Sequence, residues 1–375
     1  MIAIVYPQFY GVGGIARYLD SFLANLPAGA PPVVLITGDE HRQPRQYRGV
    51  QIVHVPFSSS RFNLFTWGLA VRRLLRQMHQ RGEVKVVNFH FPPLIPGLFL
   101  PPELPMVLTA HTTYLGMSGR FTPERHFNSP WGPLSVAIKQ WMERRIFAKA
   151  AEVIALTEQG HQEVLSYGYR RPVHIIPNGV DLREFQVGEP VQKDIDVLFV
   201  GRIEIRKGSR AMAPLCQALL ARQPDLQIAI VGYGDDEAHV REALARMGVL
   251  GAQVHMAGKV PLSEVGTYYR RAKVYASTSY YEGLPGTCLE AMAMELPCVV
   301  WDLLFYQGLV EPGLTGMRVP VNQIDNMASR VLELVRDRYK GTQMGRAARS
   351  HLARGYDWAA LADQITKRLT AKANE

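Results

Sequence analysis

The chain has 375 residues, 47% of them hydrophobic and 20% charged, which is enough for two domains with full cores and excludes a disordered or fibrous protein. Its net charge of +9 is uneven: residues 1–185 hold 19 Lys and Arg against 12 Asp and Glu, whereas residues 186–375 hold 23 against 21. Three cysteines, Cys216, Cys288 and Cys298, show no C-x-x-C spacing and read as buried thiols, and no apolar run reaches the ~20 residues of a spanning helix.

Met1–Pro7 lacks a basic leader and reads as a buried strand ending in Gln8–Gly14. A helix follows with apolar residues at Ile15, Tyr18, Leu19, Phe22 and Leu23. Strand, glycine loop and helix is the phosphate-cradling start of a doubly wound domain. Ala16 stands where G-x-G-x-x-G needs its last glycine, so a nicotinamide site is disfavoured. Strands are expected at Pro32–Gly38, Gln51–Phe57, Val84–His90 and Pro105–His111, with a helix over Leu64–Gln80. Met106–Ala110 delivers His111 to a strand's carboxyl end, where open α/β sheets bind ligands, although a packed loop histidine fits that place too.

Two stretches are basic and amphipathic. Trp67–Arg81 sets Arg72, Arg73, Arg76 and Arg81 beside Leu69, Val71, Leu74 and Leu75. Pro133–Ala150 sets Lys139, Arg144, Arg145 and Lys149 beside Val136, Ile138, Trp141 and Ile146. Each either covers a sheet with a solvated face or docks on acidic headgroups. No nucleic-acid-binding signature accompanies the basic excess, so an anionic membrane surface is the expected partner and nucleic acid is not. The chain is expected in the cytoplasm, peripheral on the inner face of the membrane.

Strand Glu152–Leu156, a helix capped by Thr157 and the turn Pro177-Asn178-Gly179 close the first half, and residues 182–193 read as a polar linker. The second half restarts the pattern. Ile195–Val200 runs into Gly201–Gly208 and a helix, and Leu226–Val231 ends at Gly232-Tyr233-Gly234. Helix Glu237–Met247, strand Gln253–Ala257, helix Leu262–Ala272 and strand Lys273–Ser277 follow. The fold class is therefore α/β, two Rossmann-like doubly wound domains facing across a cleft, 1–185 and 186–355. Three helices end the chain, and the last, within 356–375, is expected to return to the first domain.

The chemistry concentrates in the second half. Arg202 and Lys207 lie in a loop between strand and helix, where two cations and free backbone N–H groups can hold a diphosphate without a metal. Asp194-Ile195-Asp196 heads a strand instead of following one and reads as solvated linker charge, and no H-x-x-x-H pair exists, so neither a metal nor another cofactor is expected. Gly283-Leu284-Pro285-Gly286-Thr287 opens a helix N-terminus suited to an anion, and Glu282 and Glu290 bracket it. Carboxylates beside an anion site make sense as acceptors for sugar and ribose hydroxyls, which points to a nucleotide sugar.

In this order, Gly13-Gly14 with Arg17, His111, Pro177–Asp181, Gly201-Arg202 with Lys207-Gly208, Gly232-Tyr233-Gly234 and the E-x7-E pair Glu282/Glu290 resemble the retaining family 4 glycosyltransferases of GT-B fold. The resemblance implies that Arg202 and Lys207 bind the donor diphosphate, Glu290 the ribose, and Glu282 and His111 the sugar. It also implies that the backbone of Gly13, Gly14, Gly232 and Gly283–Thr287 approaches the donor. The implied reaction is metal-independent, front-face transfer from a UDP- or GDP-sugar to a glycan or lipid-linked acceptor. Two departures stand out: Glu295 replaces a small glycine, and Trp301–Gly308 replaces the family's Gly-Gly-x-x-Glu loop. Two other readings of the same fold stay open, a nucleotide-sugar epimerase and, motivated by that second change, a non-catalytic nucleotide-sugar-binding protein. A phosphorylase would need a cofactor lysine that no residue here identifies.

Overall fold

The computed structural model describes residues 1–11, 13–40, 45–59, 62–119, 132–189 and 191–375, and of 132, 133 and 262 only the backbone. Val12 of the first glycine loop and residue 190 of the expected linker lie outside them. The described residues form two units: one comprises those up to Gly179 together with Trp358–Glu375, the other Val180–Asp357.

The first unit begins β1 (Ile2–Val5), α1 (Gly14–Ala24), β2 (Val33–Thr37), β3 (Val50–His54) and α2 (Asn63–Gln80). It continues β4 (Val86–Phe91), β5 (Met106–Ala110), the short α3 (Tyr114–Met117), α4 (Gly132–Lys149), β6 (Glu152–Ala155), α5 (Glu158–Ser166) and β7 (Val173–Ile175). The strands pair in parallel in the order β3-β2-β1-β4-β5-β6-β7. One sheet face carries Ala3, Val5, Val87, Phe89 and Leu108 into a core shared with Val71 and Leu75 of α2 and Ile146 and Phe147 of α4.

The second unit runs β8 (Ile195–Val200), α6 (Ser209–Leu220), β9 (Ile228–Val231), α7 (Glu237–Arg246), β10 (Val254–Gly258), α8 (Leu262–Arg271) and β11 (Ala272–Ser277). It ends α9 (Gly286–Ala293), β12 (Cys298–Trp301), β13 (Gly316–Val319), α10 (Ile324–Arg336) and α11 (Arg338–Gly355). Its sheet is also parallel, in the order β10-β9-β8-β11-β12-β13. The last helix, α12 (Trp358–Asn374), packs on α1, β1 and β4 of the first unit, and its Lys372 reaches Glu152 of β6 at 3.2 Å. Both units are Rossmann-like, and in each the strand order reverses once, between β1 and β4 and between β8 and β11. Loops at the carboxyl ends of those strand pairs are where such sheets bind ligands.

Several expectations need correction. β3 lies earlier than Gln51–Phe57 because its one partner strand, β2, ends at Thr37, which stands in register with His54. The linker is not uniformly polar: Phe185 is buried in the second core, and Arg349 donates to the carbonyls of Leu182 and Phe185. Asp194 and Asp196 are not loose linker charge. Arg271 holds the first at 2.6 Å, and Lys273 holds the second, which is buried, at 2.6 Å. The apolar residues of the two basic helices also divide. Val71, Leu75 and Ile146 are buried, whereas Leu69, Ile138 and Trp141 stay exposed.

Candidate functional site

Three loops at the carboxyl ends of β8, β9 and β11 are drawn together by glycines. Gly208, at φ +71°, lies so close to β11 that a Cβ there would stand 1.8 Å from the Thr278 carbonyl oxygen. A Cβ on Gly232 would stand 1.8 Å from the Gly201 carbonyl oxygen. Only glycine permits both approaches.

That pinch assembles a chain of charges. Arg202, 61% exposed, reaches Glu204 at 3.3 Å, and Glu204 takes Arg206 at 2.6 Å. Arg206 stands 3.8 Å from Glu282 and donates to the Tyr281 carbonyl at 3.0 Å. Lys207 Nζ donates to Glu282 Oε1, which also accepts from the Ser279 hydroxyl at 3.0 Å. Glu282 is only 7% exposed, so a buried carboxylate lies between two cations. Burial pulls Lys207 below the usual lysine value, and Glu282 opposes that pull. An arriving diphosphate would meet two partly buried cations, Lys207 resting on Glu282 and Arg206 shared between Glu204 and Glu282.

The loop after Glu282 leads into α9. Pro285 precedes its first turn without a side-chain cap, so the first N–H groups are not satisfied by a capping side chain. Leu284 packs against the second core, and Gly283, Gly286 and Thr287 are half-buried. Glu290 lies on α9, buried, with the Tyr269 hydroxyl 2.9 Å from Oε2. Tyr275 and Thr287 share a hydroxyl contact at 2.8 Å. Arg202, Lys207 and Glu282 thus form one linked cluster, and Glu290 is held separately by α8 through Tyr269.

The loop after β12 is filled from within. Trp301 Nε1 donates to the Thr278 carbonyl at 3.0 Å, Phe305 and Tyr306 are fully buried, and Tyr306 meets Ser277 at 2.9 Å. Its aromatic rings brace the carboxyl end of β11.

In the first unit, Gly13 has an extended backbone any residue could adopt, and Gly13 and Gly14 are both exposed, with open space where a Cβ would stand. Their contribution is room beside the start of α1. His111 follows β5, nearly buried, with Nε2 3.0 Å from His90 Nδ1, and burial pushes its pKa down to about 3. It is a neutral ring. Arg206 and His90 are not among the site residues expected from sequence; the adjacent basic pair Arg206-Lys207 and the alternation Asn88, His90 in a buried strand were the available signals.

A family model described as Glycosyltransferase Family 4 matches residues 12–184, and one described as Glycosyl transferases group 1 matches residues 181–351. The chain is 28% identical to a phosphatidyl-myo-inositol mannosyltransferase of Mycolicibacterium smegmatis, over 98% of this chain and 92% of that one. Among solved structures it resembles a sucrose-phosphate synthase from Thermosynechococcus elongatus, with TM-score 0.77, 21% identity and 99% of both chains covered. It also resembles Anabaena HepE in complex with UDP and glucose, with TM-score 0.76, 16% identity and 99% of both chains covered. Two parallel-sheet units of this kind, matched in register by two successive family models, make this chain a family 4 glycosyltransferase of GT-B fold.

Proposed function

We propose that the chain transfers a sugar from a nucleotide diphosphate-sugar to a hydroxyl of a lipid-linked or polysaccharide acceptor, with retention and without a metal. The observation that carries this reading is the buried Glu282 gripped by Lys207 and Arg206 beside the uncapped start of α9. Lys207, Arg202 and the first N–H groups of α9 neutralise the diphosphate, and Glu290 accepts from the ribose hydroxyls. Glu282 and His111 take hydroxyls of the sugar. As the bond from the anomeric carbon to the phosphate oxygen breaks, the acceptor oxygen bonds to that carbon from the same face. Its proton passes to the departing phosphate oxygen. This needs orientation and charge stabilisation rather than a protein nucleophile. Similarity to a phosphatidyl-myo-inositol mannosyltransferase and to a UDP- and glucose-bound fold supports the donor and acceptor classes.

A thermal-shift screen with UDP, GDP and ADP, followed by transfer assays with the matching sugar nucleotides, tests the reading. Stabilisation by one nucleoside diphosphate and turnover of its sugar are expected. Binding without turnover across broad acceptors would favour a non-catalytic binding protein.

The first unit also fits an anionic membrane surface. Phe62, Phe65 and Leu69 at α2 and Leu134, Ile138 and Trp141 on α4 are exposed, and Arg73, Arg144 and Arg145 make no ion pair among the described residues. Both helices pack on the turn Ile95–Phe99: Phe65 meets Phe99 at 4.8 Å, and Lys149 donates to the Leu98 carbonyl. Apolar side chains rimmed by basic ones suit a headgroup boundary. Co-sedimentation with anionic vesicles and none with zwitterionic ones is expected; equal binding to both would count against it. Among the described residues no helix is long and apolar enough to cross a membrane.

A further inference from the structure

β4 and β5 pair with Asn88 beside Val107 and His90 beside Thr109. Side chains two apart share a face of a strand, so Asn88 and His90 point the same way as Thr109 and His111. The other face of both strands is apolar core. Asn88, His90 and His111 are 0%, 1% and 8% exposed, so each hydrogen bond among them is made away from bulk water.

The hydrogen positions follow from the partners. Asn88 Nδ2 donates to the Val107 carbonyl at 3.1 Å and to the Thr109 hydroxyl at 2.9 Å. A carbonyl can only accept, so the amide nitrogen lies on that side and Oδ1 faces His90 Nε2 at 2.7 Å. His90 Nε2 therefore carries the hydrogen. A neutral imidazole has one N–H, which leaves His90 Nδ1 a lone pair. His111 Nε2, 3.0 Å away, must donate to it. The hydrogen of His111 is thereby held on Nε2, and its Nδ1 has no hydrogen-bond partner among the described residues.

Among the described residues no ion pair holds either ring as a cation. Burial pushes His111 down to about 3 and His90 well below the usual histidine value, with His111 adding to the second shift. Tyr18 of α1 also faces them, its ring 4.8 Å from His111 and 5.5 Å from His90. Trp358 of α12 packs on Tyr18 at 5.0 Å, and Ile4 of β1 stands beside Asn88. No carboxylate pairs with either ring among the described residues.

We propose that Asn88 and His90 are positioning residues that hold His111 as its Nε2–H tautomer, so that its bare Nδ1 accepts a hydrogen bond from a hydroxyl of the bound sugar. The tautomer is a property of the free protein; its use rests on the assignment of His111 to the sugar under the proposed function.

Histidine-selective 15N labelling, with His90 and His111 assigned by substitution, reads the tautomer directly from the chemical shifts of the ring nitrogens. Both rings should show a protonated Nε2 and an unprotonated Nδ1, unchanged between about pH 5.5 and 8. A hydrogen on His111 Nδ1, or a doubly protonated ring in that range, overturns the proposal. Asn88→Asp sets an acceptor-only carboxylate against His90, which stabilises a His90 cation and drives the His111 hydrogen to Nδ1. Its kcat/KM should fall about ten- to a hundredfold, with nucleoside diphosphate affinity kept and a new inflection in the pH profile. An unchanged tautomer and rate would contradict the relay. His90→Gln keeps an acceptor toward His111 and a donor toward Asn88, so it should retain far more activity than His90→Phe; equal rates overturn the proposal. If the wild-type chain turns over no sugar nucleotide, the functional reading fails while the nitrogen shifts still decide the tautomer.

Discussion

Lys207→Met is the substitution whose size the geometry constrains best. Its side chain is 18% exposed and its ammonium rests on the carboxylate of Glu282, a side chain 7% exposed, so it acts in a region poorly screened by water. In the free chain its loss leaves Glu282 with the Ser279 hydroxyl at 3.0 Å and Arg206 at 3.8 Å. Those two partners keep the carboxylate from being orphaned, so the stability loss should fall short of the ~3–5 kcal/mol seen when a buried pair is broken. With a diphosphate bound, the same change deletes a charge-assisted contact worth about 1.5–3 kcal/mol, roughly ten- to a hundredfold in Kd. Arg202, 61% exposed, should matter less, as a solvated contact contributes up to ~1 kcal/mol. Calorimetry with the best-binding nucleoside diphosphate, checked against thermal unfolding of each variant, measures both. Unaltered affinity in Lys207→Met, or a larger loss in Arg202→Met, would refute the reasoning.

Other substitutions separate binding from chemistry and from folding. Glu282→Ala should lower kcat by about a hundredfold or more while nucleoside diphosphate affinity stays near wild type, since its proposed contact is to the sugar; steady-state kinetics with calorimetry checks this. Gly208→Ala forces a left-handed alanine into the Thr278 carbonyl, so urea titration should show a loss beyond the ~1–2 kcal/mol of the backbone term alone. Gly13→Ala meets open space, and its stability should stay within about 0.5 kcal/mol of wild type. Transfer should persist in EDTA, and its abolition would put a metal into the mechanism.

Much of the architecture was legible because it depends on local patterns. Apolar runs such as Ile195–Val200, each ending in glycine and followed by an amphipathic helix, specify βα units without knowledge of their neighbours. The same locality made Glu282 and Glu290 visible, since one loop and one helix carry both. What stayed hidden depends on which strand lies beside which. Asn88 and His90 announce a polar face within β4, but the relay exists only because β5 aligns Thr109 with His90. Arg206 looks like a neighbour of Lys207 until the fold brings Glu282 and the Tyr281 carbonyl to it. The helix Tyr114–Met117 is one turn long, too short for periodicity, and only its Thr113 cap marks it. In α4, periodicity could not say which of Ile138, Trp141 and Ile146 the sheet would cover.

The anomeric configuration of the first sugar transferred is the most direct test of the central claim. Incubated in EDTA with an α-configured sugar nucleotide and an acceptor it uses, the protein should release nucleoside diphosphate and form an α-linked product, read from the coupling of the anomeric proton. A β-linked product would contradict same-face attack, and a firmly bound sugar nucleotide that never transfers to any acceptor would contradict the catalytic reading itself.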